Sequence, residues 1–148
     1  MSSEIERTIR AREPQDTDEI ISVWLDSTIP GQAFLPETHW RGLEPMIRDT
    51  LMPMAETWVA LDGDRIVAFI SLLGDMIGGF FTNPSHQGKG RGRALLEHVK
   101  ALHDPLTIEV FRANERSIAI YEHCGFVEES SHTDEMTGLE AVIMKLTR

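Results

Sequence analysis

A glycine-rich turn decides the fold of this chain: residues 80–95 read FFTNPSHQGKGRGRAL. Before the turn, Met76–Thr82 has the apolar and aromatic composition of a β-strand. After it, Leu95, Val99 and Leu102 recur at a spacing that places them on one side of a helix. The first N–H groups of a helix have no partner within it and lie at the positive end of its dipole. The turn therefore predicts a site for a phosphate-bearing ligand.

The residues of the turn support this prediction, because alternate glycines leave the backbone open to a ligand and the basic residues between them add positive charge. They are Gly88, Lys89, Gly90, Arg91, Gly92 and Arg93. A P-loop is excluded, since no Lys-Ser or Lys-Thr pair follows a glycine here. A dinucleotide fingerprint needs Gly or Ala at its sixth position, where this chain has Arg93 or Leu95.

The residues before the turn predict one strand, two helices and a β-hairpin. Ile5–Arg12 alternates apolar and charged residues, as a strand does, and Asp16 with Glu19 resembles a capping box that begins a first helix. Residues 40–51 carry apolar side chains at helical spacing, and Pro45 should interrupt this second helix. The hairpin strands flank an Asp-Gly turn. They are Thr57–Leu61 and Arg65–Leu72.

Later elements complete an alternating order. Gly78 and Gly79 predict a bulge or a close backbone approach in Met76–Thr82. Downstream come a strand, a helix capped by Asn114 and ended by Gly125, and two closing strands. Their ranges are Leu106–Phe111, Asn114–Cys124, Phe126–Ser131 and Ala141–Leu146. The order β-α-α-β-β-β-α-β-α-β-β predicts a mixed α+β sheet in a single domain over residues 1–148.

Composition narrows the class of protein. The chain has 148 residues, of which 41% are hydrophobic, enough for one core. No apolar run of about 18 residues is present, so we expect a cytoplasmic protein without a membrane partner. The net charge of -10 disfavours nucleic acid and favours a cationic substrate. The single cysteine and the irregularly spaced histidines predict no disulfide and no metal site.

Two motifs together resemble the GNAT superfamily of N-acetyltransferases. The first is Q/R-x-x-G-x-G/A after a strand, matched by Gln87, Gly90 and Gly92. The second is N-x-x-[SA]-x-x-x-Y-x-x-x-G-F, matched by residues 114–126. The resemblance, closest to small stand-alone bacterial members, implies a mostly antiparallel sheet of about six to seven strands with about four helices. It also implies two splayed central strands and acetyl-coenzyme A as the cosubstrate.

The resemblance implies a binding role for each matched position. The main chain of Phe80, Phe81 and Thr82 should pair with the pantetheine amides like an added strand. Gln87 and residues 88–93 should hold the pyrophosphate. Asn114 matches an asparagine that contacts the coenzyme arm, and it also suits the helix cap, so the two roles stay open and are compatible.

Catalysis requires a base and an acid. Glu109 is the one charged residue in Leu106–Phe111, and it stands where some relatives have a proposed base; it also fits a structural carboxylate with a basic neighbour. Tyr121 matches the tyrosine that protonates the departing sulfur, or else serves as a core aromatic. Cys124 has no activating base in the pattern, which favours direct transfer in a ternary complex over an acyl-enzyme.

The acceptor is the least determined part of the prediction. In this fold the acceptor pocket is expected from Ile29–Trp40 and Ser131–Leu139, where Phe34, Trp40 and Met136 are candidate lining residues. A protein lysine, an N-terminus and a small-molecule amine all remain open. So do a non-catalytic acyl-coenzyme A sensor and the choice between monomer and homodimer.

Overall fold

Seven strands form one sheet in the computed structural model, which describes residues 8–147. Their order is β1-β2-β3-β4-β5-β7-β6, and within these residues every neighbouring pair is antiparallel except β4 with β5. The predicted mixed, mostly antiparallel α+β sheet is confirmed. The strands are β1 Ile9–Ala11, β2 Glu56–Asp62, β3 Arg65–Leu73, β4 Met76–Thr82, β5 Leu106–Phe111, β6 Val127–Thr133 and β7 Glu140–Leu146.

Four helical regions flank the sheet: α1 Thr17–Gly31, α2 over residues 37–54, α3 Arg91–Lys100 and α4 Glu115–His123. The α2 region is broken, as Pro45 predicted, because proline lacks an N–H and clashes with the preceding turn. Its segments are helical Glu37–Gly42, Glu44–Met46 and Met52–Met54, with the π-helical turn Ile47–Leu51 between the last two. Short 3-10 turns precede α1 and α3 at Pro14–Asp16 and Pro84–His86.

The predicted capping box at the start of α1 is wrong. The buried Asp16 carboxylate accepts from the Arg10 guanidinium at 2.6 Å and from the Glu13 N–H at 2.8 Å, outside the helix. Glu19 accepts instead from the Ile66 N–H at 2.9 Å, which joins α1 to β3. Asp16 thus completes a capping box with Glu13 at the preceding 3-10 turn, and Glu19 is bonded to β3, so neither carboxylate caps α1.

Two further predictions concern the ends of elements. Leu102 lies beyond the end of α3 and is 54% exposed, so it does not extend the apolar side formed by Leu95 and Val99. The opening strand was predicted from Ile5, but residues 5–7 lie outside the described residues. The described part of that strand is Ile9–Ala11.

Hydrophobic residues pack on both sides of the sheet. On one side, which we call the α3–α4 face, side chains of α3 and α4 cover a core that includes Ile70 and Leu95. On the other, the α1–α2 face, Trp24 and Trp40 cover a core that includes Phe69. Successive strand residues point to opposite faces, so each strand serves both cores.

The central strands β4 and β5 splay apart, as expected. Among residues 8–147 they pair only at Met76 with Thr107 and Ile77 with Ile108. Against β3, the pairing shifts by one residue at Gly78, which confirms the predicted bulge. Bulges bend the strand that carries them, and β4 leaves β5 just beyond this point. The separation opens a cleft in the middle of the sheet.

Candidate active site

The cleft between β4 and β5 holds a cavity of about 800 Å³, within the size range of ligand pockets. Most residues predicted for the site line it. They are Phe80, Phe81, Thr82, Gln87, Gly88, Gly90, Arg91, Gly92, Arg93, Glu109, Asn114 and Tyr121. Lys89 is exposed and does not line the cavity.

The glycine loop has the backbone that a phosphate site requires. Gly88 and Gly90 have φ values of 77° and 89°, a backbone region that residues with a Cβ rarely adopt. Gly90 is the N-cap of α3 and supplies no side chain, so within the described chain the first N–H groups of α3 stay open to a ligand. The Gln87 side chain donates to the Thr82 carbonyl at 3.1 Å and ties the loop to the end of β4.

The third glycine of the loop lies beside the end of β4. A Cβ on Gly92 would lie 3.4 Å from the Thr82 hydroxyl oxygen and 3.8 Å from the Phe80 ring, which are ordinary van der Waals distances. The first turn of α3 therefore packs close to the end of β4. The loop residues therefore fit the pyrophosphate of coenzyme A through open N–H groups and close backbone approach.

An acidic residue anchors the loop from outside, and sequence reasoning missed it. Asp62, at the end of β2, accepts from His86 at 2.9 Å and faces the Arg91 guanidinium at 3.7 Å. The hydrogen bond from His86 holds the pKa of Asp62 below its usual value, and the Arg91 charge adds to this. Residue spacing contains no signal for this contact, because the β2–β3 hairpin and the loop meet only after folding.

Tyr121 reaches the cleft from the α3–α4 face. Its ring stacks on Phe80 with centroids 6.3 Å apart and lies 5.7 Å from Phe126. Burial raises the pKa of the Tyr121 phenol above its usual value, and the nearby Cys124 adds to the shift. The phenol therefore keeps its proton at neutral pH, as an acid that protonates a leaving group must.

Glu109 reaches the cleft from the α1–α2 face. It alternates with the buried Ile108 and Val110 and shares its side of β5 with Phe111, which packs in the α1–α2 core. Its carboxylate is bonded to Nε2 of His132 on β6 at 2.8 Å. The basic neighbour foreseen for a structural carboxylate is thus present, and Glu109 also lines the cavity.

One of the two roles that the sequence left open for Asn114 is confirmed, and contact with the coenzyme arm stays a prediction. The Asn114 side-chain oxygen accepts from the Ser117 N–H at 3.3 Å, which confirms the cap of α4. The residue also lines the cavity, where it is available to the coenzyme arm.

The α1–α2 side of the cavity is apolar and aromatic. Trp40 lines it as expected. Phe34, which was also expected to line it, does not, and its ring packs edge-on against Phe111 with centroids 5.7 Å apart. Within the described chain, residues 131–139 of the closing hairpin do not line the cavity, and Met136 is 72% exposed. Side chains of α1 and α2 take that place: Trp24, Leu43, Met46 and Ile47. The helical spacing of the α2 residues was their only signal in the sequence.

The loop with positive φ values at Gly88 and Gly90 lies beside two splayed strands, and a comparison with known families agrees with this arrangement. The profile of the acetyltransferase (GNAT) domain matches residues 53–128. The chain belongs to the GNAT acetyltransferase family. Peptidyl-lysine N-acetyltransferase YiaC of Escherichia coli is 30% identical over 119 residues, which cover 80% of this chain and 82% of that protein. YjaB of the same organism, also a peptidyl-lysine N-acetyltransferase, is 30% identical and covers 87% and 88%.

Solved structures share the fold of this GNAT chain. The solution structure of apo YjaB from Escherichia coli superposes with a TM-score of 0.82 at 27% identity, covering 93% of this chain and 95% of that one. PaiA N-acetyltransferase of Thermoplasma acidophilum, solved with coenzyme A, has the same fold, with a TM-score of 0.80 at 16% identity over 95% and 98% of the chains. The protein is an acetyl-coenzyme A-dependent N-acetyltransferase.

Residues 8–147 lack two further structural features. Across them, no helix combines the length and apolarity needed to span a bilayer. The same residues contain no group of three or more His, Cys, Asp or Glu side chains arranged to hold a metal ion.

Proposed function

We propose that this GNAT enzyme acetylates the side-chain amine of lysine in a peptide or protein by direct transfer in a ternary complex. The observation that carries the proposal is the placement of Glu109 and Tyr121, which enter one cavity from opposite faces of the sheet. The names of YiaC and YjaB give the same acceptor class for those relatives.

The shape and charge of the acceptor side favour lysine. Among the described residues that line the cavity, Glu109 is the only carboxylate. The α1–α2 side of the same cavity is lined by apolar side chains such as Trp24, Trp40 and Leu43. A lysine side chain matches both features, because its methylene groups bury against apolar surface while its ammonium group meets the carboxylate.

The coenzyme side uses backbone groups. Phe80, Phe81 and Thr82 pair with β3 along one edge of β4, while β5 has diverged from the other edge. That open edge is suited to the amides of pantetheine, which would add like a strand. The N–H groups of residues 88–93, with the Arg91 and Arg93 side chains, would hold the pyrophosphate.

The base and the acid of the proposed reaction come from the two faces of the sheet. A lysine amine has a pKa of about 10.4 and must lose a proton before it attacks the thioester carbonyl. Glu109 accepts that proton, directly or through a water molecule, and a backbone N–H near Thr82 stabilises the charge on the carbonyl oxygen by about 3–4 kcal/mol. The C–N bond forms, the C–S bond breaks, and Tyr121 donates its proton to the departing sulfur. The extra proton that the attacking nitrogen loses on becoming an amide restores the Tyr121 phenol.

The decisive experiment measures thiol release from acetyl-coenzyme A with matched peptides. One peptide carries a free lysine and a blocked N-terminus, and a second carries arginine at that position and a free N-terminus. The proposal expects acetylation of the first alone, located on the lysine by mass spectrometry. Acetylation of the second alone, or of a small polyamine alone, contradicts it. Stabilisation by coenzyme A but not by ATP or NAD checks the loop assignment independently.

A further inference from the structure

The hydrogen bond between Glu109 and His132 crosses an intervening strand. Glu109 on β5 is opposite Ile143 of β7, whereas His132 on β6 is opposite Ala141 of β7. The two side chains therefore meet diagonally over β7, at 2.8 Å between Nε2 and Oε1. Ala141 carries only a methyl group at this crossing, so it leaves the imidazole free to reach the carboxylate.

A β-bulge turns His132 toward this face. Glu128 pairs with Met144 and Ser130 with Ile143, so Glu129 is an extra residue in β6. If β6 paired regularly from Glu128 onward, with no bulge, His132 would be opposite Glu140 and its side chain would lie on the other face of the sheet. Bulges are frequent next to active sites, where they redirect a side chain.

Other charged groups near this pair are already engaged. Lys145, on the same face of β7, lies 3.5 Å from the Glu129 carboxylate. Arg112, which follows β5, bonds to Glu128 and Glu140. Within residues 8–147, His132 is thus the basic group that contacts Glu109.

The geometry points to His132 as a positioning residue that orients the catalytic base; this inference rests on the base role of Glu109 in the proposed function. Because a carboxylate only accepts hydrogen bonds, the Nε2–H group of His132 donates a hydrogen bond to Oε1 of Glu109. The bond leaves Oε2 free to take the proton of the acceptor amine. Glu109 lines the cavity and His132 does not, so the imidazole acts through the carboxylate.

The contact contributes little to stability, which makes the inference testable through activity. The side chains of His132 and Glu109 are 46% and 39% exposed. Exposed ion pairs of this kind contribute little to the free energy of unfolding. A large loss of turnover in a His132 variant would therefore not follow from unfolding.

The test is a double-mutant cycle in the full chain, with acetyl-coenzyme A and a lysine peptide. Glu109→Gln should lower kcat about 10²-fold or more, and His132→Ala about tenfold, because a misoriented base keeps part of its effect. His132→Ala should leave the KM for acetyl-coenzyme A unchanged and should have no further effect in the Glu109→Gln background. His132→Gln should recover most of the activity, since its amide can donate to Oε1. Ser130→Ala, on the same face of β6, is the matched control and should resemble the wild type.

The outcomes separate this inference from the proposed function. If the wild type is active and Glu109→Gln is impaired, two results overturn the role of His132: full activity of His132→Ala, or equal losses in both backgrounds. The role of His132 is also overturned if the His132→Gln variant unfolds at the wild-type temperature but does not recover activity. Absence of acetylation by the wild type with lysine peptides contradicts the proposed function itself.

Discussion

Replacing Tyr121 with phenylalanine isolates the acid step, because it removes one oxygen and leaves the packing in place. The ring keeps its contacts with Phe80 and Phe126. Within residues 8–147 the hydroxyl has no described hydrogen-bond partner, so its removal leaves no buried group unsatisfied. The free energy of unfolding should therefore change by no more than about 0.5 kcal/mol.

Turnover should change much more than stability. A general acid typically contributes about 10²–10⁴-fold, and we expect kcat to fall about 10²-fold in Tyr121→Phe. The fall in kcat/KM should match it, because the proton is transferred only in the transition state. Burial raises the pKa of Tyr121 above its ordinary value of about 10. The wild type should therefore show no alkaline loss of rate from this group between pH 7 and about 9.5.

The assay combines thiol release, coenzyme A affinity by calorimetry, and thermal unfolding of the same preparations. Cys124→Ala is the matched control, since Cys124 lies one turn along at the end of α4 and also lines the cavity. It should keep the wild-type rate. An unchanged kcat in Tyr121→Phe refutes the acid role, and a large loss in Cys124→Ala would indicate an acyl-enzyme route.

Three further changes test the loop and the fold. Gly88→Ala should weaken coenzyme A binding up to about tenfold through backbone strain at φ 77°, since open space surrounds the new Cβ; an unchanged Kd by calorimetry would contradict this. Asp16→Ala should cost about 1–3 kcal/mol in urea unfolding, because Arg10 loses its partner. The hydrogen bond from Arg10 lowers the pKa of Asp16, so that difference should persist above about pH 4 and shrink as pH falls further. The hydrogen bond to Asp75 raises the pKa of His103. The wild type should therefore exceed His103→Gln in free energy of unfolding by the full amount below about pH 6.5, and by less as pH rises. A constant difference from pH 6 to 9 would exclude the contact.

Much of the fold was predictable, because its signals are local. The Asp-Gly hairpin, the bulge at Gly78 and the interruption at Pro45 each reflect a backbone preference of the residue concerned. The capping box failed because Asp16 and Glu19 found stronger partners in Arg10 and in the backbone of β3. Local propensity does not show such competition between near and distant partners.

The lining of the cavity was predictable at the glycine loop and less so on the α1–α2 side. The glycine loop follows from spacing, because the positive φ values at Gly88 and Gly90 favour residues without a Cβ. The sequence assigned this wall in part to residues 131–139, yet within the described chain side chains of α1 and α2 line it. Which apolar side of α2 faces the cavity depends on how the broken helix packs, and periodicity alone does not give that direction.

By itself, the sequence determined the class of fold, the glycine loop and the candidate acid and base, since each depends on residue type at a fixed spacing. Only the tertiary structure decided which of these groups meet. Asp62 anchors the loop, and Tyr121 and Glu109 enter the cleft from opposite faces. The contact of Glu109 with His132 spans three strands and depends on a one-residue bulge. Strand register and bulges set which side chains become neighbours, and both arise from pairing between segments far apart in the chain.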